Sequence, residues 1–336
     1  MSKYKIVVTG ASGTMGRNIL EALFREYALH AIKPEIYAIC NQSLSLENRF
    51  VGHPFIVPVK MDLRATGKDH LQIFENADVV IHCAAYTGGV NVIMNSKDSI
   101  VYNNTIIDLN MLRLSAEAGV KNFVYTSSTN VYPVSLEPVG EERGLEGDPD
   151  GVFYGIGWMK RYGERMALNF SRETGMRALI LRPSNLYGEY DHFSEQGHVV
   201  SGMITRMHKA KVEKTEKFVV WGSPNVTRDL IFAKDYAYRV LWLLRHTKTT
   251  DVFNVCTGRD TTIGDLAKIV QDVVGYQGEI CFDTTKPVTK WIQRVSPRKM
   301  HGVLEAQGCK VFTSLQSGIA QAYNFYLENY GWGVKA

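Results

Sequence analysis

YKIVVTGASGTMGRNILEALFREY, residues 4–27, decides the fold. Its first part is a short apolar run rich in β-branched residues and ends in glycine, the pattern of a buried strand. Its last part repeats apolar residues at helical spacing. Between them lies TGASGTMG, with Gly10, Gly13 and Gly16 spaced G-x-x-G-x-x-G. Glycine there permits a tight turn, close approach of the backbone to a pyrophosphate, and close packing of helix on strand. The start of the helix adds unpaired N–H groups and a positive dipole end. Gly10, Ser12, Gly13, Thr14, Met15 and Gly16 are therefore candidate contacts for a dinucleotide. A merely tight turn is the bland alternative, which the strand–turn–helix context disfavours.

The same alternation continues outward. EIYAIC, FIVPVKMD, ADVVIHCAA and NFVYTSS read as further strands, and RALILRPSNLYG as another strand with its exit loop. DSIVYNNTIIDLNMLRLSAEAG reads as a long helix closed by Gly119, and KRYGERMALNFSRETG as the next. This rhythm predicts an α/β fold: a Rossmann-type, doubly wound parallel sheet covered on both faces. Past about Gly188 the loops lengthen and a smaller C-terminal α/β lobe is expected. The expected division is 1–185 for the dinucleotide-binding part and 186–336 for a substrate lobe, interleaved with it rather than independent. A ligand would sit in the crevice between the two.

Bulk properties narrow the class. The chain has 336 residues, 45% hydrophobic and 21% charged, enough to form a core without disulfides or metals. Five cysteines follow no metal-binding spacing, and His192 and His208 have no companion ligands at useful distances in the sequence. A net charge of +4 without a dense basic tract argues against nucleic acid as the partner. No apolar run is long enough to span a membrane, and the first residues read as a strand rather than a signal peptide. A cytoplasmic enzyme with no membrane partner is expected.

Other strand ends complete the cofactor set. Asp62 and Leu63 follow the third strand, where a carboxylate can hold an adenine amino group; Ala84, Ala85 and Tyr86 follow the fourth, where small residues let a cofactor lie close. His82, within that strand, reads as a packed core histidine. The end of the second strand decides between cofactors: a carboxylate there binds ribose hydroxyls, an arginine suits a 2′-phosphate. The chain has Asn41 and Gln42, which do not repel phosphate, and Arg49 beyond them. NADP or NAD is expected, with the balance toward NADP.

TGASGTMG, HCAAY, SSTNVYP and RPSNLYG, in this order, resemble the extended short-chain dehydrogenase/reductase family, in its nucleotide-sugar branch. The C-terminal segments VVWGSPNVTRDLIFAKDYA and NVCTGRDTTIGDLAKIVQDVVGYQGEICFDTTKP are similar to the members that act on GDP-sugars. The resemblance implies hydride transfer at C4 of a nucleotide-diphosphate sugar, a GDP-sugar above others; a homodimer is also expected, with Trp158 and Met159 packing in a helix-mediated contact. The resemblance assigns Ser128 to the sugar oxygen, and Lys160 to the nicotinamide ribose with its charge lowering a neighbouring acid's pKa. His198 becomes the acid of epimerisation, and Pro183 and Asn185 join the cofactor site. Asn185, His198, Arg206, Trp221, Arg228 and Lys286 fall on the stretches that line the substrate. The arginines and the lysine suit a diphosphate chemically.

Two positions depart from the family. Its epimerisation base is a cysteine two residues before Tyr132; this chain has Asn130, whose amide has no useful basicity. Its acid–base tyrosine stands four residues before the lysine; this chain has Ile156, and the nearest tyrosine is Tyr154. Two accounts stay open. Either the tyrosine is substituted, which is the preferred reading, or Gly155 and Gly157 break the helix start and let Tyr154 swing back. With substitution, the proton donor would be a water, Ser128, Thr129 or Tyr154. The double departure also fits a binding module with reduced catalysis. A third reading is an epimerase or dehydratase with tightly held NAD.

Overall fold

The computed structural model describes residues 4–41, 53–67, 70–86, 97–285, 294–306 and 312–331. Its centre is a seven-stranded parallel sheet built from β1 (Lys5–Thr9), β2 (Glu35–Cys40), β3 (Ile56–Lys60), β4 (Val79–His82), β5 (Asn122–Thr126), β6 (Arg177–Pro183) and β11 (Asp251–Val255). The spatial order is β11-β6-β5-β4-β1-β2-β3, so the winding reverses between β1 and β4. Ligands of open parallel sheets bind outside the carboxyl ends of the strands at such a switch point. The inner strands read as unbroken apolar runs because both faces are covered; β4 is buried at every residue.

One face carries α1 (Thr14–Tyr27) and α6 (Ala233–His246). Ile19, Leu20 and Leu23 of α1 share a core with Tyr236, Ala237, Val240 and Leu241 of α6. Each such aliphatic side chain contributes about 1.5–3 kcal/mol on burial. The other face carries α2 (Leu71–Phe74), α3 (Lys97–Glu117) and α4 (Tyr154–Thr174), with Phe74, Met111, Leu112 and Ala167 in its core.

The α4 helix starts six residues before the point at which the sequence pattern starts it. Tyr154 is already helical, and the helix runs on to Gly175, which adopts φ 76° and closes it. The glycines near its start do not break it. A Cβ on Gly157 would lie 2.5 Å from both Asn130 O and Pro149 Cβ, and one on Gly163 would lie 2.0 Å from the Tyr125 hydroxyl. Both residues let the helix press against β5 and the turn after it, and that closeness outweighs the roughly 1 kcal/mol that glycine costs a helix.

The second layer contains α5 (Val199–Val212), α7 (Ile263–Val274) and α9 (Leu315–Asn329). Three small strand pairs join it: β7 (Asn185–Tyr187) with β10 (Leu230–Phe232), β8 (Lys217–Trp221) with β13 (Glu279–Asp283), and β9 (Thr227–Arg228) with β12 (Thr261–Thr262). Its own core includes Met203, Met207, Leu266, Val270 and Ile319. The chain then returns to the large sheet: α6, β11 and α8 (Arg298–Glu305) all pack there, with Phe253, Met300 and Leu304 in the first core. A single cut at residue 185 therefore does not separate the two layers.

Candidate active site

The loop after β1 meets the loop after β4. Gly10 has φ 66°, and a Cβ on it would lie 2.6 Å from the backbone of Ala84. A Cβ on Gly16 would lie 2.3 Å from Gly10 O, so α1 starts against its own entry turn. Gly13 differs: a Cβ there would meet Gly10 O alone, at 3.4 Å, among the described residues. Its open side faces out of the turn. Gly13 is also the N-cap of α1, no side chain caps that end, and no acidic residue stands in the first turn. An exposed cradle of backbone N–H groups fits a pyrophosphate. Ser12, Thr14 and Met15 are half-buried around it.

The flanking candidates are placed unequally. Ala85 and Tyr86 are exposed at the switch point, and Asn104 clamps the Tyr86 backbone from both sides, accepting from its N at 2.6 Å and donating to its O at 2.9 Å. Asn41 is exposed at the end of β2. Leu63 is buried. Asp62 is engaged by Arg64, which donates from Nε at 2.9 Å and Nη2 at 2.7 Å and holds the carboxylate below its usual pKa. A base amino group would compete with that guanidinium. Gln42, Arg49 and Lys286 lie outside the described residues.

Lys160 lies on the inner face of α4, nearly buried. Its Nζ donates to Asp108 Oδ2 at 3.0 Å and to Thr126 O, at the carboxyl end of β5, at 3.1 Å. Ile156, one turn earlier, shares that face and is half-buried. Tyr154 does not: it is exposed, lies edge-on to Trp158, and forms with Trp158 and Tyr162 an exposed stripe at helical spacing. The helix being regular from its first residue, Tyr154 is not brought to Lys160. Ser128 caps the short turn Thr129–Val131, its Oγ accepting the Asn130 N–H at 3.1 Å. Its hydroxyl proton is left to point elsewhere. Thr129 is buried, and Asn130 is half-buried beside it.

The second layer meets the start of α1 through bonds that include Thr14 Oγ1 to Tyr190 O at 3.0 Å and Asn18 Nδ2 to Glu189 O at 3.1 Å. The next residue, Asp191, is 2% exposed and bonds His198 Nδ1 at 2.8 Å. That bond, reinforced by the carboxylate's charge and opposed by desolvation, raises the His198 pKa above 6.5. Pro183 is buried at the end of β6, and Asn185 is pinned to Asp229 O through both its backbone N, at 3.1 Å, and its Nδ2, at 2.9 Å. Arg206 donates to Glu195 O and Arg228 to Thr227 O, each at 2.7 Å. Burial lowers both arginine pKa values, and Arg228 feels the charge of Asp150, just before α4. Trp221 is 65% exposed at the end of β8.

Two carboxylates escaped sequence reasoning. Asp191 precedes His198 by seven residues, and nothing local marks it as a partner. Asp108 had a signal: it follows Asn104 by four residues on the stripe of α3 that also buries Met111, Leu112 and Ser115. His82, read as a core histidine, is buried but is bonded at both nitrogens, to Thr9 Oγ1 at 2.7 Å and to Asp108 Oδ1 at 3.0 Å. A separate cavity of about 530 Å³, lined by Tyr4, Leu23, Arg177 and Arg245 among others, includes no residue of this site.

An open glycine cradle at the switch point, with a lysine held at the next strand end, defines a nicotinamide-dinucleotide enzyme of the doubly wound class. The chain belongs to the NAD dependent epimerase/dehydratase family, whose model matches residues 6–256. It is similar to the GDP-L-fucose synthase of Sinorhizobium fredii (strain NBRC 101917 / NGR234), 31% identical over 283 residues that cover 82% of this chain and 88% of that one. It is also similar to the GDP-L-fucose synthase of Escherichia coli (strain K12), 27% identical over 98% of this chain and 98% of that one. A solved GDP-L-fucose synthetase from Naegleria fowleri bound to NADP shares the fold, with TM-score 0.80 and 24% identity over 98% of this chain and 96% of that one.

Proposed function

We propose that this chain is an NADP-dependent oxidoreductase acting at C4 of a GDP-sugar. The observation that carries the reading is the open glycine cradle at the switch point with Lys160 held at the end of β5, in a chain 31% identical to a GDP-L-fucose synthase. The cofactor, when bound, supplies or takes the hydride at C4. Lys160 holds its ribose. Ser128 donates its free hydroxyl proton to the sugar oxygen and is reprotonated from solvent, so the carbonyl gains one hydride and one proton. Asn41 at the end of β2 supports NADP, since no carboxylate there repels a 2′-phosphate. Arg206 and Arg228 occupy surroundings that disfavour their charge, which a diphosphate would relieve.

Asn130 cannot act as a base, so double epimerisation is not part of this reading, and His198 in its protonated form serves to bind the substrate as a hydrogen-bond donor. The exposed stripe of Tyr154, Trp158 and Tyr162, with Tyr102 of α3, supports a homodimer. Among the described residues Cys40, Cys83, Cys256 and Cys281 are free thiols, which supports a reducing cytoplasm. The test is the reduced-nicotinamide absorbance on adding GDP-mannose, a GDP-4-keto-6-deoxy sugar or GDP-heptose. A changed band names the substrate class. An unchanged band with sugar binding intact by calorimetry favours the second reading, a binding module, which Ile156 on Lys160's own helix face supports.

A further inference from the structure

The polar groups behind Lys160 form one continuous chain of hydrogen bonds. The Ala84 N–H donates to Thr9 Oγ1 at 3.3 Å, and Thr9 Oγ1 lies 2.7 Å from His82 Nδ1. His82 Nε2 lies 3.0 Å from Asp108 Oδ1. Asp108 Oδ2 accepts from the Tyr125 hydroxyl at 2.5 Å and from Lys160 Nζ at 3.0 Å. The side chains of Asp108 and Lys160 are 3% and 9% exposed, so water screens the pair little. Burial works against ionised Asp108, but Lys160 and the bonds from His82 and Tyr125 outweigh it and hold the carboxyl below its usual range.

An ionised Asp108 accepts, so His82 Nε2 carries a hydrogen. Thr9 Oγ1 accepts from Ala84 and meets the other ring nitrogen. Asp108 and Lys160 themselves sum to zero, one carboxylate against one ammonium. Two other titratable groups facing the pair add no charge. Burial pushes the Cys83 thiol up to about 12 and the Tyr125 hydroxyl well above its usual value, so both are neutral. Glu164, on the next turn of α4, is paired with Arg182 at 2.6 Å.

We propose that Asp108, set by His82 and Tyr125, is a positioning residue that locks Lys160 on the carboxyl end of β5 and cancels its charge. Lys160 is thereby a holder of the cofactor and not an electrostatic activator of an acid at position 156. The ammonium still has a proton to donate to a ribose hydroxyl, but its field at the neighbouring turn is that of a compensated pair. Ile156 then leaves no unanswered charge behind it. The consequence for the cofactor rests on the reading of Lys160 given above; the charge cancellation does not.

The test restores the missing hydroxyl. In I156Y, carbon-13 NMR with Cζ-labelled tyrosine reports the titration of the one new ring. With Asp108 intact, that tyrosine is expected to titrate near 10, as in a free peptide. In I156Y/D108N it is expected about 1–3 units lower, because the lysine charge is then uncompensated. A new tyrosine already well below 10 in I156Y, or one that D108N does not move, overturns the proposal. The single variant decides even where the double variant does not fold. Independently, D108N alone is expected to weaken NADPH binding about tenfold, read by nucleotide fluorescence, because Lys160 loses its anchor; unchanged affinity in folded D108N overturns the locking. Failure of the parent chain to bind NADPH would count against the proposed function and leave the tyrosine titration standing.

Discussion

Two buried aspartates each bond a nitrogen base, Lys160 and His198, and the two pairs differ in what water reaches. Asp108 and Lys160 are both nearly out of water, with side-chain exposures of 3% and 9%. Asp191 is as deeply buried, but its partner His198 keeps 42% of its side-chain surface in solvent. A buried pair with three donors on one carboxylate is fixed: neither member can change charge without stranding the other. A half-open histidine on a buried carboxylate can gain and lose a proton while its ring stays in place. The first arrangement suits holding a cofactor, the second suits handling a proton. Burial of the cation, more than the identity of its partner, separates the two roles.

The largest effect is expected from breaking the fixed pair on one side. K160M leaves Asp108 buried without its cation, and such an unpaired charge costs about 3–5 kcal/mol. Urea unfolding should show that loss, and NADPH titration should show affinity lost with it. K160M/D108N should recover part of the stability and none of the affinity. Full stability in K160M would mean the pair is not as closed to water as its geometry indicates.

A smaller effect is expected from disturbing the pair's support. In G163A the new methyl would meet the Tyr125 hydroxyl, which donates to Asp108 at 2.5 Å. Overpacking of this kind costs about 1–3 kcal/mol. G151A, at a position with nothing within 4 Å of the new Cβ, is the control and should change stability by under about 0.5 kcal/mol. Thermal unfolding compares the two. Equal midpoints would show that α4 can lift from β5 without cost.

Those contacts also mark where the sequence stopped being legible. EIYAIC is a strand over the same residues, 35–40, that the apolar run delimits, because a strand with Ile36, Ala38, Ile39 and Cys40 buried writes its burial into its sequence. The glycine loop was legible for a related reason: its demands are local, a turn and a helix start within eight residues. The start of α4 was not, since Gly155 and Gly157 look like helix breakers until Asn130 and Pro149 are seen pressing on Gly157. The His82–Asp108 bond spans 26 residues and the Thr9–His82 bond 73. No periodicity encodes such pairings. The second arises because parallel strands β1 and β4 lie side by side with Thr9 opposite His82, and the first because α3 packs its buried stripe on that sheet.

The smallest change in structure, with the most specific signature, is expected from loosening the open pair. D191N keeps a hydrogen-bond acceptor for His198 Nδ1 but removes the carboxylate's charge. The pKa of His198 is raised first by its bond to Asp191, against desolvation, and then by that charge. In the parent, catalysis that requires protonated His198 should therefore persist above pH 6.5 and fall as pH passes the raised value. In D191N the fall should move down toward about 6.5, the value of an unperturbed histidine. Stability follows the same sign. A raised pKa means the folded state binds the proton more tightly, so the pair's contribution is complete below about 6.5 and fades as pH rises through the folded value. D191N should thus lose most stability at acid pH and least at alkaline pH. A pH–rate profile and unfolding at pH 5.5 and 9 check both. An unmoved descending limb would assign the titrating proton to a group other than His198, and the contrast between the fixed and the open pair would fail.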